Sequence, residues 1–404
     1  MALFAADRHE RLIDTPWREA AARAALSHIV QDTRAAYCGP VALWPIHPLD
    51  VSPERAPVLK PLYYGAAGVI WALRHLYRAG VIDGGPNYTE GVASLLPASR
   101  LDARRLHGEP LHGYLLGDAG ILLLHWTMAP SAALASELAS AIAANANHPS
   151  LGLAWGEPGA LLAALIMFRR TGDARWRDSF LAGAGRLWSA LAFDPDLRCH
   201  LWTQDLYGHV ARRLGGLHGF AGVAGVLLQG GDLLPTDRRA ELPVRVATTL
   251  RATAIVAGPH ANWPMSAPTG DAAADGEPLL QHCWGAPGMV NCLATLPRDE
   301  STDALLLAAG ELIWAAGPPV KLPSLCHGAP GSGYAFLKLF QRTGDQRWLD
   351  RARRFAMHAA AQADRAAAQH GQRKFSLWTG DLGLAMYLSD CLSGSSALPT
   401  VDVF

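Results

Sequence analysis

The sequence predicts an all-α protein built from seven helical hairpins, and three observations carry that prediction. Gly-x-x-Gly recurs seven times before an apolar, helix-like run: at 65–68, 117–120, 156–159, 219–222, 285–288, 328–331 and 380–383. The first glycines lie 52, 39, 63, 66, 43 and 52 residues apart, enough in each interval for two helices and their loops. Arg170-Thr-Gly-Asp-Ala-Arg-Trp176 and Arg342-Thr-Gly-Asp-Gln-Arg-Trp348 each begin 14 residues after their repeat's first glycine, which confirms the unit. Runs of alternating β-branched residues, which would mark strands, are few.

Taken in order, residues 1–61 read as a helical lead-in with a Pro-rich loop at Pro40–Pro61. Residues 62–393 hold the seven repeats and 394–404 a tail, all in one domain spanning 1–404. Within a repeat, a segment such as Ser332–Phe340 is apolar nearly all round, as expected of a helix buried on most sides. Thr-Gly-Asp then supplies a helix stop, a turn and an N-cap for a second, more charged helix, such as Gln346 to Gln362. Seven such hairpins build a solenoid or a closed ring. Buried inner helices favour closure, because an open array leaves a concave face wet. The glycines would gather all seven loops at one end of a central cavity.

Composition excludes several classes. Half of the 404 residues are hydrophobic and 17% are charged, which is globular rather than disordered. With 35 basic and 35 acidic residues and no Lys/Arg stripe, a nucleic-acid partner is not expected. The first residues lack the apolar stretch and cleavage site of a signal peptide, and no apolar run approaches the ~18 residues of a membrane span. A cytoplasmic protein without a transmembrane segment is expected. Six scattered cysteines do not make a disulfide scaffold, and metal or catalytic use is the better reading.

The informative stretch is Ser324-Leu-Cys326-His327-Gly328-Ala-Pro-Gly331, with a near-copy at His282-Cys283-Trp284-Gly285-Ala-Pro-Gly288. Both place a cysteine two residues before the first glycine, and one cysteine is followed by a histidine. Cys283, Cys326 and His327 therefore look like three ligands of one metal. Cys38, Cys199, Cys292 and Cys391 read as buried small hydrophobes.

Together with Leu217-His218-Gly219-Phe-Ala-Gly222, these motifs resemble the lanthionine synthetase C-like family, from about Tyr63 to Leu377. Gly-Asp-Ala-Gly at 117–120 and Phe375-Ser-Leu377 are similar to its stand-alone, glutathione-using branch. The resemblance implies an (α/α)7 toroid, one zinc ion on two cysteines and a histidine, and addition of a thiol to dehydroalanine or dehydrobutyrine. Zinc with three protein ligands keeps a fourth position open, the catalytic arrangement. A thiol entering there is deprotonated near neutral pH.

His218, one residue before its first glycine, is the acid/base candidate for protonating the enolate. Asp118 is placed either to orient His218 or simply to cap its own helix. Where the family usually has Tyr or His after the first zinc cysteine stands Trp284, which cannot exchange a proton, so that role is vacant or moved to His282. The arginine that lanthipeptide cyclases carry shortly before this cysteine is absent. By resemblance, Lys321 handles phosphate lost from phosphoserine or phosphothreonine, and Arg373 holds glutathione's carboxylates. Arg8 is a candidate for an N-terminal arginine on a poor local match. The expected partners are glutathione or another thiol and a dehydrated or phosphorylated polypeptide. Alternatives are a lanthipeptide cyclase, a non-catalytic zinc- and glutathione-binding adaptor, and, more remotely, a prenyltransferase-like toroid.

Overall fold

Each apolar run after a Gly-x-x-Gly forms a helix in the computed structural model, which describes residues 3–52, 58–84, 87–268 and 277–404. These seven inner helices are Ala66–Arg78, Asp118–Met128, Glu157–Thr171, Phe220–Gln229, Ala286–Leu293, Ala329–Thr343 and Asp381–Ser393. They are buried almost throughout; every residue from Phe220 to Leu227 and from Ala329 to Leu339 is inside. Six of them are followed by an outer helix with one buried face: Thr89–His107, Ala132–Ala144, Ala174–Ala190, Thr236–Ala252, Glu300–Ala316 and Gln346–His370. The Thr-Gly-Asp turns behave as their residue types dictate. Gly172 and Gly344 end their helices at φ 68° and 72°, and Asp173 and Asp345 accept from the backbone N–H of Arg175 and Arg347 at 3.0 and 2.9 Å. The last outer helix runs on to His370, beyond the expected Gln362.

The ring is closed. Each inner helix contacts the next, and the seventh contacts the first. The seventh outer position is filled from the far end of the chain, by Glu19–Ala35, which packs against Asp381–Ser393. The lead-in is thus part of the ring wall. The middle of the Pro-rich stretch, residues 53–57, lies outside the described residues. The 394–404 tail enters the centre of the ring. Tyr114 donates to the Thr400 carbonyl at 2.6 Å and Trp378 Nε1 to Thr400 Oγ1 at 3.0 Å. Lys338 pairs with Asp402 at 2.7 Å, and Phe404 packs on Trp71 and Tyr114. Such a plug fills space that seven helices around an axis leave open.

Among the described residues, three short β-hairpins interrupt the helical plan: Ala192–Asp194 with Cys199–Leu201, Gln204–Leu206 with His209–Ala211, and Ile255–Ala257 with His260–Asn262. Each lies between an outer helix and the next inner helix, which places it at the loop end of the ring.

Candidate metal centre

The glycines explain how the loop end is built. At the second glycine of all seven motifs, a Cβ would strike the carbonyl oxygen six residues back, from Leu62 O at Gly68 to Leu377 O at Gly383. Each loop therefore folds tightly over its own helix N-terminus, and only glycine permits that approach. The residue two before the first glycine then meets its equivalent in the next repeat. Cys283 N donates to Cys326 O (3.4 Å), Cys326 N to Trp378 O (3.0 Å), Trp378 N to Tyr63 O (2.9 Å), Tyr63 N to Leu115 O (3.0 Å) and Leu115 N to Ala154 O (3.3 Å). A belt of backbone hydrogen bonds thus runs round most of the ring at one level.

Cys283 and Cys326 are neighbours on that belt, and His327 follows Cys326. Their donor atoms all lie within 4.8 Å of one another. Both thiols are buried, and the Cys326 thiol is raised well above its ordinary value by burial and by the adjacent Cys283. Among the described residues, His327 Nδ1 is buried without a hydrogen-bond partner, on a side chain that is itself half-buried. Two sulfurs and an orphaned imidazole nitrogen in one buried cluster are the donor set and spacing that a zinc ion fits. The residues present fit the metal.

His218 stands beside this centre with its ring 5.5 Å from that of Trp284, over which the Arg213 guanidinium lies at 5.8 Å. Burial, helped by Arg213, lowers the His218 imidazole to about 4, and among the described residues its Nδ1 has no hydrogen-bond partner. Burial likewise lowers His282 to about 3, reinforced by charge at His327 and His218, and Asn291 Nδ2 sits 3.2 Å from its Nδ1. Tyr63, on the belt, is pushed up by burial first and then by the thiols of Cys326 and Cys283. Its ring stacks on Trp378 at 6.2 Å.

A cavity of about 570 Å³ opens on His327, with Lys321, Lys374, Tyr64, Ser324 and Thr379 in its wall. Lys374 Nζ is held by Asp50 at 2.9 Å, whereas Lys321 is exposed. Arg8 comes close to this region because its carbonyl accepts from Val320 N at 3.0 Å. Arg8 and Lys321 share a smaller cavity of about 120 Å³.

Two expected site residues sit elsewhere. Asp118 does not reach His218 among the contacts of the described residues; its carboxylate accepts from Arg100 Nε at 2.7 Å, with His112 at 3.6 Å. Arg373 is buried among Asp32 (2.6 Å), Asp364 (3.0 Å) and Asp381 (3.6 Å), so carboxylates of the chain itself surround its guanidinium, with Nη1 near Asp381 but not hydrogen-bonded. Both follow one rule of the repeat: an acid directly after the first glycine pairs with an arginine, as Glu157 does with Arg186. A desolvated carboxylate requires such a partner. Cys38 is also not buried but exposed, Cys292 is half-buried, and all six cysteines are free. Sequence reasoning passed over Tyr63, Tyr64 and Lys374. Extending the two positions before the first glycine across all seven repeats finds the two tyrosines.

Comparison with known proteins agrees with this fold. A family model described as lanthionine synthetase C-like protein matches residues 57–403. A protein named glutathione S-transferase LANCL1 from Danio rerio is 32% identical over 206 residues, 48% of this chain and 45% of the relative. LanC-like protein GCL1 of Arabidopsis thaliana is 30% identical over 262 residues, 60% of this chain and 55% of the relative. The matches thus span about half the length of these curated relatives. Among solved structures, nisin cyclase superposes with a TM-score of 0.62 at 14% identity, covering 92% of this chain and 94% of that one, a likeness of fold.

Proposed function

Since the chain belongs to the lanthionine synthetase C-like family, we propose that it adds a thiol, glutathione in the first place, to dehydroalanine or dehydrobutyrine residues of polypeptides. The observation that carries this reading is the buried Cys283–Cys326–His327 cluster opening onto a cavity with lysines in its wall. Cys283, Cys326 and His327 would hold zinc, which when bound at an open fourth position acidifies an incoming thiol and makes it a nucleophile at neutral pH.

The chain's own groups supply the rest. Lys321, exposed in the cavity wall, favours an anionic reactant there, while the charge of Lys374 is already met by Asp50 in the same wall; this suits glutathione's carboxylates or a phosphate leaving from phosphoserine or phosphothreonine. His218, neutral at pH 7 because burial disfavours its charged form, accepts the thiol proton. The sulfur forms its bond to Cβ, the Cα=Cβ electron pair moves to the enolate, and the His218 imidazolium returns the proton to Cα. Trp284 packs against His218 where a second proton-transfer group would otherwise stand. Its role on this reading is to hold the imidazole and the substrate in place.

The test is mass spectrometry of dehydroalanine peptides incubated with glutathione and zinc-replete protein, alongside Cys326→Ala. The expected outcome is a glutathione mass increment with the wild type, and loss of both bound zinc and the increment in the variant. No increment from zinc-replete wild type would discard the transferase reading in favour of a dedicated lanthipeptide substrate or a binding adaptor.

A further inference from the structure

A second cavity, of about 360 Å³, lies beside the one at the metal ligands, and Tyr64 lines both. Its walls are Trp155 and Leu116 from the loops of the third and second repeats, Tyr207 from a hairpin tip, and Leu106 from the outer helix Thr89–His107. Tyr64, Leu116 and Trp155 all stand directly before the first glycine of their repeats, the position His327 occupies at the metal centre. The two cavities are therefore neighbouring sectors of one circle of side chains.

Two features mark the second cavity as a built site. Among the described residues its Lys60 and Asp102 pair with each other, and apart from Ser99 and His107 the rest of the wall is aromatic and aliphatic. The wall at Tyr207 is held at a conformational cost. Tyr207 and Gly208 form the two-residue turn of the hairpin at φ 57° and 78°. Asn or Gly is the ordinary first residue of such a turn, and a bulky side chain there is strained. The tyrosine is 74% exposed, yet its hydroxyl accepts from Trp155 Nε1 at 3.0 Å and the rings meet edge to face at 6.2 Å. An exposed aromatic in a strained turn, tied to a wall tryptophan, is explained by what it contacts from the open side.

We propose that this cavity is a specificity subsite, taking an apolar or aromatic side chain of the polypeptide whose dehydroamino acid reacts at the metal centre. The inference rests on the polypeptide substrate proposed above. Continuity through Tyr64 puts the subsite along the path of an extended chain leaving the metal cavity. Its mainly apolar wall separates it from the metal-side cavity, where Lys321 is exposed.

Binding tests it independently of turnover. Zinc-loaded protein is titrated by calorimetry with glycine-rich peptides carrying Ala at the position of the reacting residue and one Phe one to four residues before or after it. The reference is the same peptide without Phe. Burying one aromatic ring predicts at least one Phe position that tightens binding by roughly ten-fold or more. That gain is expected to shrink several-fold in Tyr207→Asn, a residue the turn accepts, while Tyr207→Phe keeps most of it. Equal affinity for all peptides, or a Phe preference untouched in Tyr207→Asn, overturns the subsite. Dehydroalanine versions of the peptides distinguish the two readings. Thioether formation without Phe preference removes the subsite alone, and Phe-dependent binding without thioether formation removes the transferase alone.

Discussion

His218 and Asp118 show how far a residue's neighbours decide its chemistry. Among the described residues, His218 keeps a buried Nδ1 with no hydrogen-bond partner close to the Cys283, Cys326 and His327 cluster, which on the proposed reading leaves it able to move a proton. Asp118 is engaged by Arg100, in the same acid–arginine arrangement that Glu157 and Asp381 make in their repeats. If that pair is structural, Asp118→Ala loses about 2 kcal/mol of stability, the scale of a charged hydrogen bond left unmade. Thiol addition per zinc-loaded molecule should stay within about two-fold of wild type. Urea unfolding and zinc-normalised rates check both halves, and a large rate loss at unchanged stability would restore Asp118 as a partner of the reaction.

At the level of the loop and its helix, the repeated glycines are packing devices with a functional consequence. At Gly328 a Cβ would overlap the Leu322 carbonyl and the Ser324 amide, in the loop that carries Cys326 and His327. Backbone cannot yield there as a flexible side chain would. Gly328→Ala is expected to destabilise by about 2 kcal/mol or more, as strained backbone sites do, and to lower zinc affinity through displaced ligands. Gly231→Ala, where nothing lies within 4 Å of the added methyl, is the control that should change neither. Zinc competition with a chelator, beside thermal melts, separates the two variants.

Across the whole molecule, both ends of the described chain complete the ring. Glu19–Ala35 supplies the seventh outer helix, and residues 398–404 plug the centre up to Trp378 on the hydrogen-bonded belt. Lys338, itself only 7% exposed, depends on Asp402 of that plug. Asp402→Ala leaves its ammonium buried without its counter-charge and is expected to cost ~3 kcal/mol. Unfolding should remain one cooperative transition at a lower midpoint, measured by denaturant titration. An unchanged midpoint would mean that the plug is dispensable to the ring.

By itself the sequence determined the seven-fold helical plan, the inner and outer roles within each hairpin, and the Cys283, Cys326 and His327 cluster. Those signals are local: apolar periodicity, glycine spacing, a cap residue, a cysteine at a fixed offset. Tertiary structure alone decided that Arg373 meets Asp32, some 340 residues away. It also decided that the two ends of the described chain close and fill the ring, and that Tyr63 and Tyr64 line the cavity at His327 with Tyr207 in the adjoining one. Each of these depends on which distant segments meet once the ring shuts, and no stretch of sequence records its partner across the axis.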